Sequence, residues 1–238
     1  MELKETFKPI AKVNSVSKKY GRTVALQDAE MEFPEGELTA LIGPNGSGKS
    51  TLLKIMVGLT YADTGSVEVL GLKLGIQLKE QVAFLPEIDH FYDWMKVEQV
   101  IDFHRSQFSN FNYDKAVELA RDMNLKTDTR ISSLSKGMRG RLKLVLTLAR
   151  DVKLYIMDEP LSGLDPQSKG YILEILNSEF AAGGKSVILS THEVIESEKF
   201  YDYVIMLENG QVRLQGYADA LRDEHNLSIQ DLTREVFN

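Results

Sequence analysis

The residues best suited to chemistry form one short glycine-rich segment, residues 43–51. Its members are Gly43, Pro44, Asn45, Gly46, Ser47, Gly48, Lys49, Ser50 and Thr51. Glycines let a backbone curl so that successive N–H groups point inward at a phosphate, where a side chain would collide. Lys49 would bring positive charge to the β- and γ-phosphates of a nucleotide, and Ser50 would offer its hydroxyl to Mg²⁺. The segment therefore predicts a site for a nucleoside triphosphate and its magnesium ion.

The stretches on either side of this segment have the patterns that such a site needs. Residues 37–42 are a mostly apolar run of strand length, and residues 51–57 have the pattern of a helix that is interrupted at Gly58. A strand, a glycine loop and a helix N-terminus together form an anion site. A chain of this length matches the bare pattern by chance with a probability of about one in a hundred. We therefore interpret residues 43–51 as a phosphate loop.

Two carboxylates, Asp158 and Glu159, directly follow the apolar run at residues 154–157, which predicts a buried strand. Adjacent residues at the end of a strand point in opposite directions and can have separate tasks. Asp158 would join the shell of the Mg²⁺ ion, and Glu159 would polarise the attacking water. The alternative is an ordinary acidic pair between a strand and a loop, which is the default interpretation for the pair in isolation.

The composition of the 238 residues is that of an ordinary globular protein, of a size that suits one large domain or two small ones, and we favour one. The chain is 43% hydrophobic and 26% charged, and no run approaches the roughly 18 apolar residues of a membrane span. Because there is no cysteine, disulfides and cysteine-bound metals are excluded. The start, Met1-Glu2-Leu3-Lys4-Glu5, lacks the basic and apolar blocks of a secretory signal, so we expect a cytoplasmic protein.

The charge of the chain bears on nucleic acid as a partner. A net charge of −7 argues against general binding to nucleic acid, which usually needs a basic face. One local basic patch consists of Lys136, Arg139, Arg141 and Lys143. Charge patterning favours the solvated face of a helix over a binding patch here. We therefore expect no nucleic-acid partner.

Patterns along the rest of the chain indicate an α/β protein with a helical insert. Strands are predicted at residues 10–16, 23–26, 29–33, 66–70, 81–85, 187–189, 203–207 and 211–214, the first three antiparallel. Between residues 97 and 151 the hydrophobic period becomes helical, with one helix over residues 97–108 and another over 116–123. These helices interrupt the series of strands, so they are predicted to form an insert.

The last third of the chain carries clear signals for where elements end. Asp165 and Pro166 predict the start of a helix, and Gly183-Gly184 predicts its close. Asn209-Gly210 lies between two predicted strands and is a strong hairpin signal. Residues 218–238 have spaced apolar positions and are interpreted as a small helical tail on the core, with dimer contacts as the alternative.

Further short motifs, taken with the phosphate loop and the carboxylate pair, make nearly the whole chain resemble the nucleotide-binding domain of an ATP-binding-cassette (ABC) transporter. Leu134-Ser135-Lys136-Gly137-Met138 resembles the family signature, and Ser162-Gly163-Leu164-Asp165 resembles the D-loop. His192 follows the last buried strand, where the family has its switch histidine, and Tyr20 lies where the family has an aromatic that stacks on adenine.

This resemblance implies a fold. The fold class is α/β: a P-loop NTPase core of the ABC type with a mixed or parallel sheet, an N-terminal antiparallel β subdomain and an inserted α-helical subdomain. It implies a single domain over residues 1–238, with the helical subdomain at about residues 88–150 and the helical tail at about residues 218–238.

The resemblance also implies an ATPase that uses ATP and Mg²⁺. In the family, two such domains pair head to tail, so Ser135 and Gly137 would reach the γ-phosphate of ATP held by the partner. His192 would contact the γ-phosphate and hold the water and Glu159 in place. The implied partners are a second ABC ATPase subunit, identical or different, and a separate membrane permease. The implied place is the inner face of the cell membrane, with export as the direction of transport.

Two departures from the family pattern concern the signature and the metal. Lys136 and Met138 stand where the family has Gly and Gln, so the signature is degenerate. Glu87 stands where most members have a glutamine that touches Mg²⁺, and we expect coordination, directly or through water, to keep its extra charge tolerable. Together these features resemble bacterial export ATPases of the bacitracin-resistance and Ytr type.

The segment after Glu87, residues 88–95, is dense in aromatics and contains the only tryptophan. In the family this region lines the groove that receives a helix from the permease, and aromatics are good anchors for such a partner. Packing of Phe91 and Trp94 within the helical insert is an equally open alternative.

Two other functions stay open at this point. The first is a soluble ABC ATPase that works without a permease. The second is a non-hydrolysing regulatory module, which the degenerate signature permits and which the intact Glu159 and His192 count against.

Overall fold

The computed structural model describes residues 7–72, 74–181, 184–194 and 197–238. The strands of this part are β1 Pro9–Tyr20, β2 Thr23–Pro34, β3 Leu38–Ile42, β4 Thr64–Val69, β5 Val82–Leu85, β6 Leu154–Asp158, β7 Ser186–Thr191, β8 Tyr203–Glu208 and β9 Gln211–Tyr217. Its helices are α1 Lys49–Met56, α2 Ile76–Gln81, α3 Val97–Gln107, α4 Tyr113–Asp122, α5 Lys136–Leu148, α6 Pro166–Ala181, α7 Ala218–His225 and α8 Ile229–Phe237. None of the helices in the described part is long and apolar enough to cross a membrane.

The larger sheet brings the chemistry-bearing segments together. Its six strands lie in the order β5-β6-β7-β3-β8-β9, and all neighbours are parallel except the antiparallel pair β8 and β9. The phosphate loop follows β3, Asp158 ends β6, and His192 follows β7. Because β6, β7 and β3 are adjacent and parallel, these three C-terminal ends meet at one edge of the sheet.

A second, antiparallel sheet has the order β2-β1-β4. The chain turns between β1 and β2 at Gly21, whose φ is +60°. The predicted separate strands at residues 23–26 and 29–33 are one strand, β2, with an irregular register around Asp28, whose φ is +47°. The irregularity broke the alternation of the sequence pattern, which is why the pattern suggested two strands.

The core lies on both faces of the larger sheet. Ala40 and Ile42 of β3 belong to a cluster with the helices α3 to α5, whereas Leu41 belongs to a cluster with α1 and the small sheet. Alternate residues of a strand point to opposite faces, so β3 is buried on both sides and is apolar except for Thr39. This packing fixes the end of β3, from which the phosphate loop starts.

The predicted helices are present in the described residues, and one α-helix was not predicted. The helical tail consists of α7 and α8, and Leu221, Ile229 and Leu232 bury it against the core. The six-residue helix α2 was not predicted, because Leu78 is its only buried residue and gives no periodic signal. Of the glycines predicted to end α6, Gly184 has a φ of +61°, whereas Gly183 lies outside the described residues.

Candidate functional site

Close backbone packing requires glycine at two positions of the phosphate loop. A Cβ atom on Gly43 would lie 2.1 Å from the backbone oxygen of Leu207. Gly48, the residue before α1, has a φ of +108°, and its Cβ would lie 2.3 Å from the backbone oxygen of Ala25. Side chains at either position would therefore push the loop away from its neighbours. The loop delivers the N-terminus of α1, where the first N–H groups have no acceptor within the helix and can bind an anion.

The side chain of Lys49 is buried inside this loop. Its residue is 5% exposed, and Nζ donates to the backbone oxygens of Gly43 at 2.6 Å and Pro44 at 3.1 Å. Nζ also lies 3.8 Å from Oε1 of Glu159. Burial lowers the pKa of Lys49, and nearby carboxylates, Glu159 first, oppose that effect. The loop thus holds a cation at the point where phosphate oxygens would enter.

Asp158 is the candidate metal ligand with the most direct geometric support. It is fully buried, and its Oδ1 accepts hydrogen bonds from Oγ of Ser50 at 3.0 Å and Oγ of Ser190 at 2.7 Å. Its Oδ2 is also buried and has no hydrogen-bond partner among the described residues. A buried carboxylate oxygen without a partner is unfavourable, so Oδ2 fits a hard cation such as Mg²⁺.

The oxygen donors at this position, the carboxylate of Asp158 and the hydroxyl of Ser50, also suit magnesium. Mg²⁺ usually takes one or two protein ligands and completes its shell with phosphate oxygens and water. Ser50 uses its hydroxyl hydrogen on Asp158 and keeps its oxygen lone pairs for a cation.

Glu87, the third predicted metal ligand, lies in the loop after β5 and is exposed. The ammonium of Lys143, on α5, donates to the backbone oxygens of Pro86 at 2.8 Å and Glu87 at 2.5 Å. Burial lowers the pKa of Lys143, and the charges of Asp89 and Glu87 oppose that effect. The ammonium of Lys143 on α5 therefore anchors the loop that carries Glu87.

Glu159 and His192 form the pair that could handle a proton. Oε1 of Glu159 lies 2.9 Å from Nδ1 of His192, and the side chains are 10% and 34% exposed. A hydrogen bond at this distance requires the hydrogen on Nδ1, which leaves Nε2 directed elsewhere. A cleft of about 450 Å³ borders both residues, with Thr233 and Arg234 of α8 also among its lining. The carboxylate is thus buried on one side and open to water on the other.

The remaining predicted site residues lie apart from this cluster. Ser135 is exposed at the N-terminus of α5, where its Oγ accepts from the backbone N–H of Met138 at 3.3 Å, and Gly137 follows in the first turn. No hydrogen bond joins Ser135 or Gly137 to the phosphate loop within the described residues. Tyr20 ends β1, is 50% exposed, and has the ammonium of Lys18 at 5.4 Å from its ring centre.

The expectation of a solvated basic face on α5 is wrong for most of the patch. Only Lys136 is exposed. The guanidinium of Arg139 binds Asp89 at 3.2 Å and Asp93 at 2.6 Å. Arg141 binds Asp165 at 2.9 Å, and Lys143 holds the Glu87 loop. These cations tie α5 to neighbouring loops, a use that charge patterning alone could not reveal because the partners are distant in sequence.

The aromatic segment splits between its two interpretations. Phe91 is partly buried against the helical cluster, as the packing interpretation predicts. Trp94 is 65% exposed and stacks on Tyr92, itself 63% exposed, with ring centres 5.9 Å apart. Ile88 is 70% exposed. The packing interpretation is therefore wrong for Trp94.

Sequence reasoning missed one residue that bonds to both Asp158 and Glu159. Ser190 of β7 is fully buried; its Oγ donates to Asp158 and accepts from the backbone N–H of Glu159 at 2.9 Å. A hydroxyl that follows the apolar run of residues 187–189 and precedes His192 by two positions was the available signal.

Comparison with known proteins gives a consistent picture. The sequence profile of the family described as "ABC transporter" matches residues 26–162. The Nod factor export ATP-binding protein I of Mesorhizobium japonicum is 34% identical over 219 residues, which cover 88% of this chain and 64% of that protein. For the protein of the same name from Rhizobium sp. (strain N33), the identity is 34% and the coverages are 88% and 71%. The chain thus spans about two thirds of the length of these relatives.

Solved structures also resemble the fold. An ATP-binding subunit of an ABC transporter superposes with a TM-score of 0.86 at 28% identity, covering 96% of this chain and 100% of that chain. The dimeric ATP-binding cassette MJ0796 in a post-hydrolysis state with ADP and Pi gives a TM-score of 0.77 at 22% identity, covering 87% and 98%. The second likeness concerns the fold alone.

Proposed function

The chain belongs to the ABC transporter family as an ATP-binding ATPase subunit, and from this premise we propose that two such subunits close around two Mg-ATP molecules and drive a separate membrane permease. The direction we propose is export, in line with relatives named Nod factor export ATP-binding protein I. The subunit would then work at the inner face of the cell membrane, attached through the permease. The partner ATPase subunit is either identical or a different chain.

The observation that carries hydrolysis is the contact between Glu159 and His192 beside the phosphate loop. Oε1 of Glu159 lies 2.9 Å from Nδ1 of His192 and 3.8 Å from Nζ of Lys49. A base next to the phosphate-binding cation is the arrangement that attack of water on a γ-phosphate needs. This geometry supports an ATPase over a regulatory module that only binds the nucleotide.

Each residue of the cluster then has a definite task. The N–H groups at the start of α1 and the ammonium of Lys49 bind the β- and γ-phosphates. Ser50 and Asp158 would hold Mg²⁺, with Glu87 joining directly or through water, and the ion when bound would neutralise charge on the phosphates. Glu159 accepts the proton of the attacking water, while His192 keeps that carboxylate oriented and contacts the γ-phosphate.

The second half of the site would come from another subunit. Ser135 is exposed and stands at the N-terminus of α5, a position that favours an anion. A hydroxyl and a helix N-terminus that face outward suit the γ-phosphate of ATP bound to the partner subunit. Tyr20, half exposed at the end of β1, would stack on the adenine.

We propose the exposed side chains of Ile88, Tyr92 and Trp94 as the contact with the permease. Exposed aromatic and aliphatic side chains that lie close together serve as anchors in protein interfaces. They belong to a helical subdomain that we place at about residues 88–150, which contains α3, α4 and α5.

The substitution Glu159→Gln tests the proposed function. It removes the base and keeps the size of the side chain, so ATP hydrolysis should fall by about 100-fold or more while ATP binding is retained. Turnover of ATP and equilibrium binding of Mg-ATP should be measured on the same preparations. Unchanged turnover in this variant would exclude Glu159 as the base and with it the proposed mechanism.

A further inference from the structure

Ser190 connects Asp158 and Glu159 through a single hydroxyl, which bonds to the carboxylate of the first and to the backbone N–H of the second. The parallel register of β6 and β7 places Ser190 beside Asp158. Its Oγ donates to Oδ1 of Asp158 at 2.7 Å and accepts from the backbone N–H of Glu159 at 2.9 Å. The hydroxyl uses its only hydrogen on one residue and a lone pair on the next. Because Ser190 is fully buried, water cannot replace either bond without a change in packing.

These two bonds act on the parts of the site that most need orientation. Glu159 has a φ of +49°, a left-handed conformation that few residues other than glycine adopt, and the bond to its N–H helps to hold the backbone there. This conformation carries the carboxylate of Glu159 to His192. The hydroxyls of Ser50 and Ser190 both donate to Oδ1 of Asp158, so that Oδ2 stays available for a cation.

We infer that Ser190 is a positioning residue for ATP hydrolysis, which sets the backbone of Glu159 and the carboxylate of Asp158 relative to each other. This inference rests on the proposed function, in which Glu159 is the base and Asp158 holds Mg²⁺. Ser190 does not reach the nucleotide in this role. Its removal should therefore slow the chemical step and leave the binding of Mg-ATP nearly unchanged.

The chain offers a matched control on the same strand. Ser186 begins β7, is also fully buried, and its Oγ accepts from the backbone N–H of Gly36 at 2.8 Å. Ser186→Ala and Ser190→Ala therefore remove the same group from one buried strand, at opposite ends. We expect similar decreases in the unfolding temperature of the two variants, because each loses buried hydrogen bonding. Only Ser190→Ala should change the kinetics.

The experiment measures kcat, KM and equilibrium binding of Mg-ATP for the unmodified chain and these variants. For Ser190→Ala we expect kcat to fall by about tenfold or more and the dissociation constant to stay within about twofold. Ser186→Ala should keep kcat within about twofold. Ser190→Thr retains the hydroxyl and should recover most of the lost kcat.

Two outcomes would overturn the inference. One is a kcat for Ser190→Ala within about twofold of the unmodified chain, and the other is an equal loss in Ser186→Ala, which would mean general loosening of the strand. Failure of the proposed function is distinguishable, because Glu159→Gln would then hydrolyse ATP as fast as the unmodified chain. If Glu159→Gln is inactive while Ser190→Ala is fully active, only the role of Ser190 is excluded.

Discussion

The candidate site has two halves that differ in how completely this chain builds them. The buried half-site lies at the edge of the large sheet, and hydrogen bonds join its residues. It is defined as the phosphate loop with Asp158, Glu159 and His192. The exposed half-site, defined as Ser135 and Gly137, lies at the N-terminus of α5 and has no hydrogen bond to the buried half-site within the described residues.

This difference separates binding from turnover. The buried half-site has a cation, a buried carboxylate oxygen without a partner, and a carboxylate paired with a histidine. On the proposed function it should therefore bind a nucleotide without the exposed half-site. The exposed half-site has a helix N-terminus that makes no hydrogen bond to the buried half-site among the described residues, so on the proposed function it acts on a nucleotide held elsewhere. Variants in the two halves should fail in different ways.

The largest effect on nucleotide binding should come from Lys49→Ala in the buried half-site. The change removes a charged donor from the phosphates, so the affinity for Mg-ATP should fall by about 10- to 100-fold. Equilibrium binding of a fluorescent ATP analogue would measure it. Affinity equal to that of the unmodified chain would contradict the phosphate-loop assignment.

A smaller effect, and one on turnover only, should follow from Ser135→Ala in the exposed half-site. A single subunit should bind Mg-ATP normally, while ATPase activity should fall by about tenfold because the partner's γ-phosphate loses a donor. The change also removes a helix cap, which contributes about 1 kcal/mol to the free energy of unfolding. Asn112→Ala is the control, since Asn112 caps α4 through the N–H of Lys115 at 3.0 Å and lies outside the site.

Mixing the two variants tests whether the halves come from different subunits. In a mixed dimer of Lys49→Ala with Ser135→Ala, one site combines both defects, and the other combines an intact phosphate loop with an intact Ser135. Activity above that of either variant alone is therefore expected. No recovery in mixtures shown to contain mixed dimers would mean that both halves act within one chain.

The buried half-site was also the more predictable one. The phosphate loop was recognisable because its glycines, Lys49 and Ser50 have a fixed spacing within one short segment, residues 43–51. Asp158 and Glu159 were recognisable because an apolar strand ends at them. These are local constraints, and local constraints leave a pattern in a single sequence.

Contacts between distant segments could not be predicted in the same way. Ser190 contacts Asp158 only because β6 and β7 are neighbours in the sheet, and Arg139 reaches Asp93 across 46 positions of the chain. Nothing in a short window reports such pairs. The same reason explains why the basic residues of α5 were expected to face solvent and instead hold loops in place.

The smallest predicted effect concerns the link between the two halves. Lys143 of α5, the helix that begins at the exposed half-site, holds the backbone oxygens of Pro86 and Glu87. Lys143→Met keeps the length of the side chain and removes the donor, so the free energy of unfolding should fall by about 1 kcal/mol and kcat by about threefold. Lys143→Arg, which retains a cation, should recover part of the loss.

A double variant tests how this link acts on the metal. If Lys143→Met also weakens the Mg²⁺ dependence of hydrolysis, and has no such effect in a chain that carries Glu87→Gln, then the position of the loop determines how Glu87 contacts the ion. If the two changes are simply additive in kcat and in Mg²⁺ dependence, α5 and the Glu87 loop act independently, and the two halves of the site communicate only through the bound nucleotide.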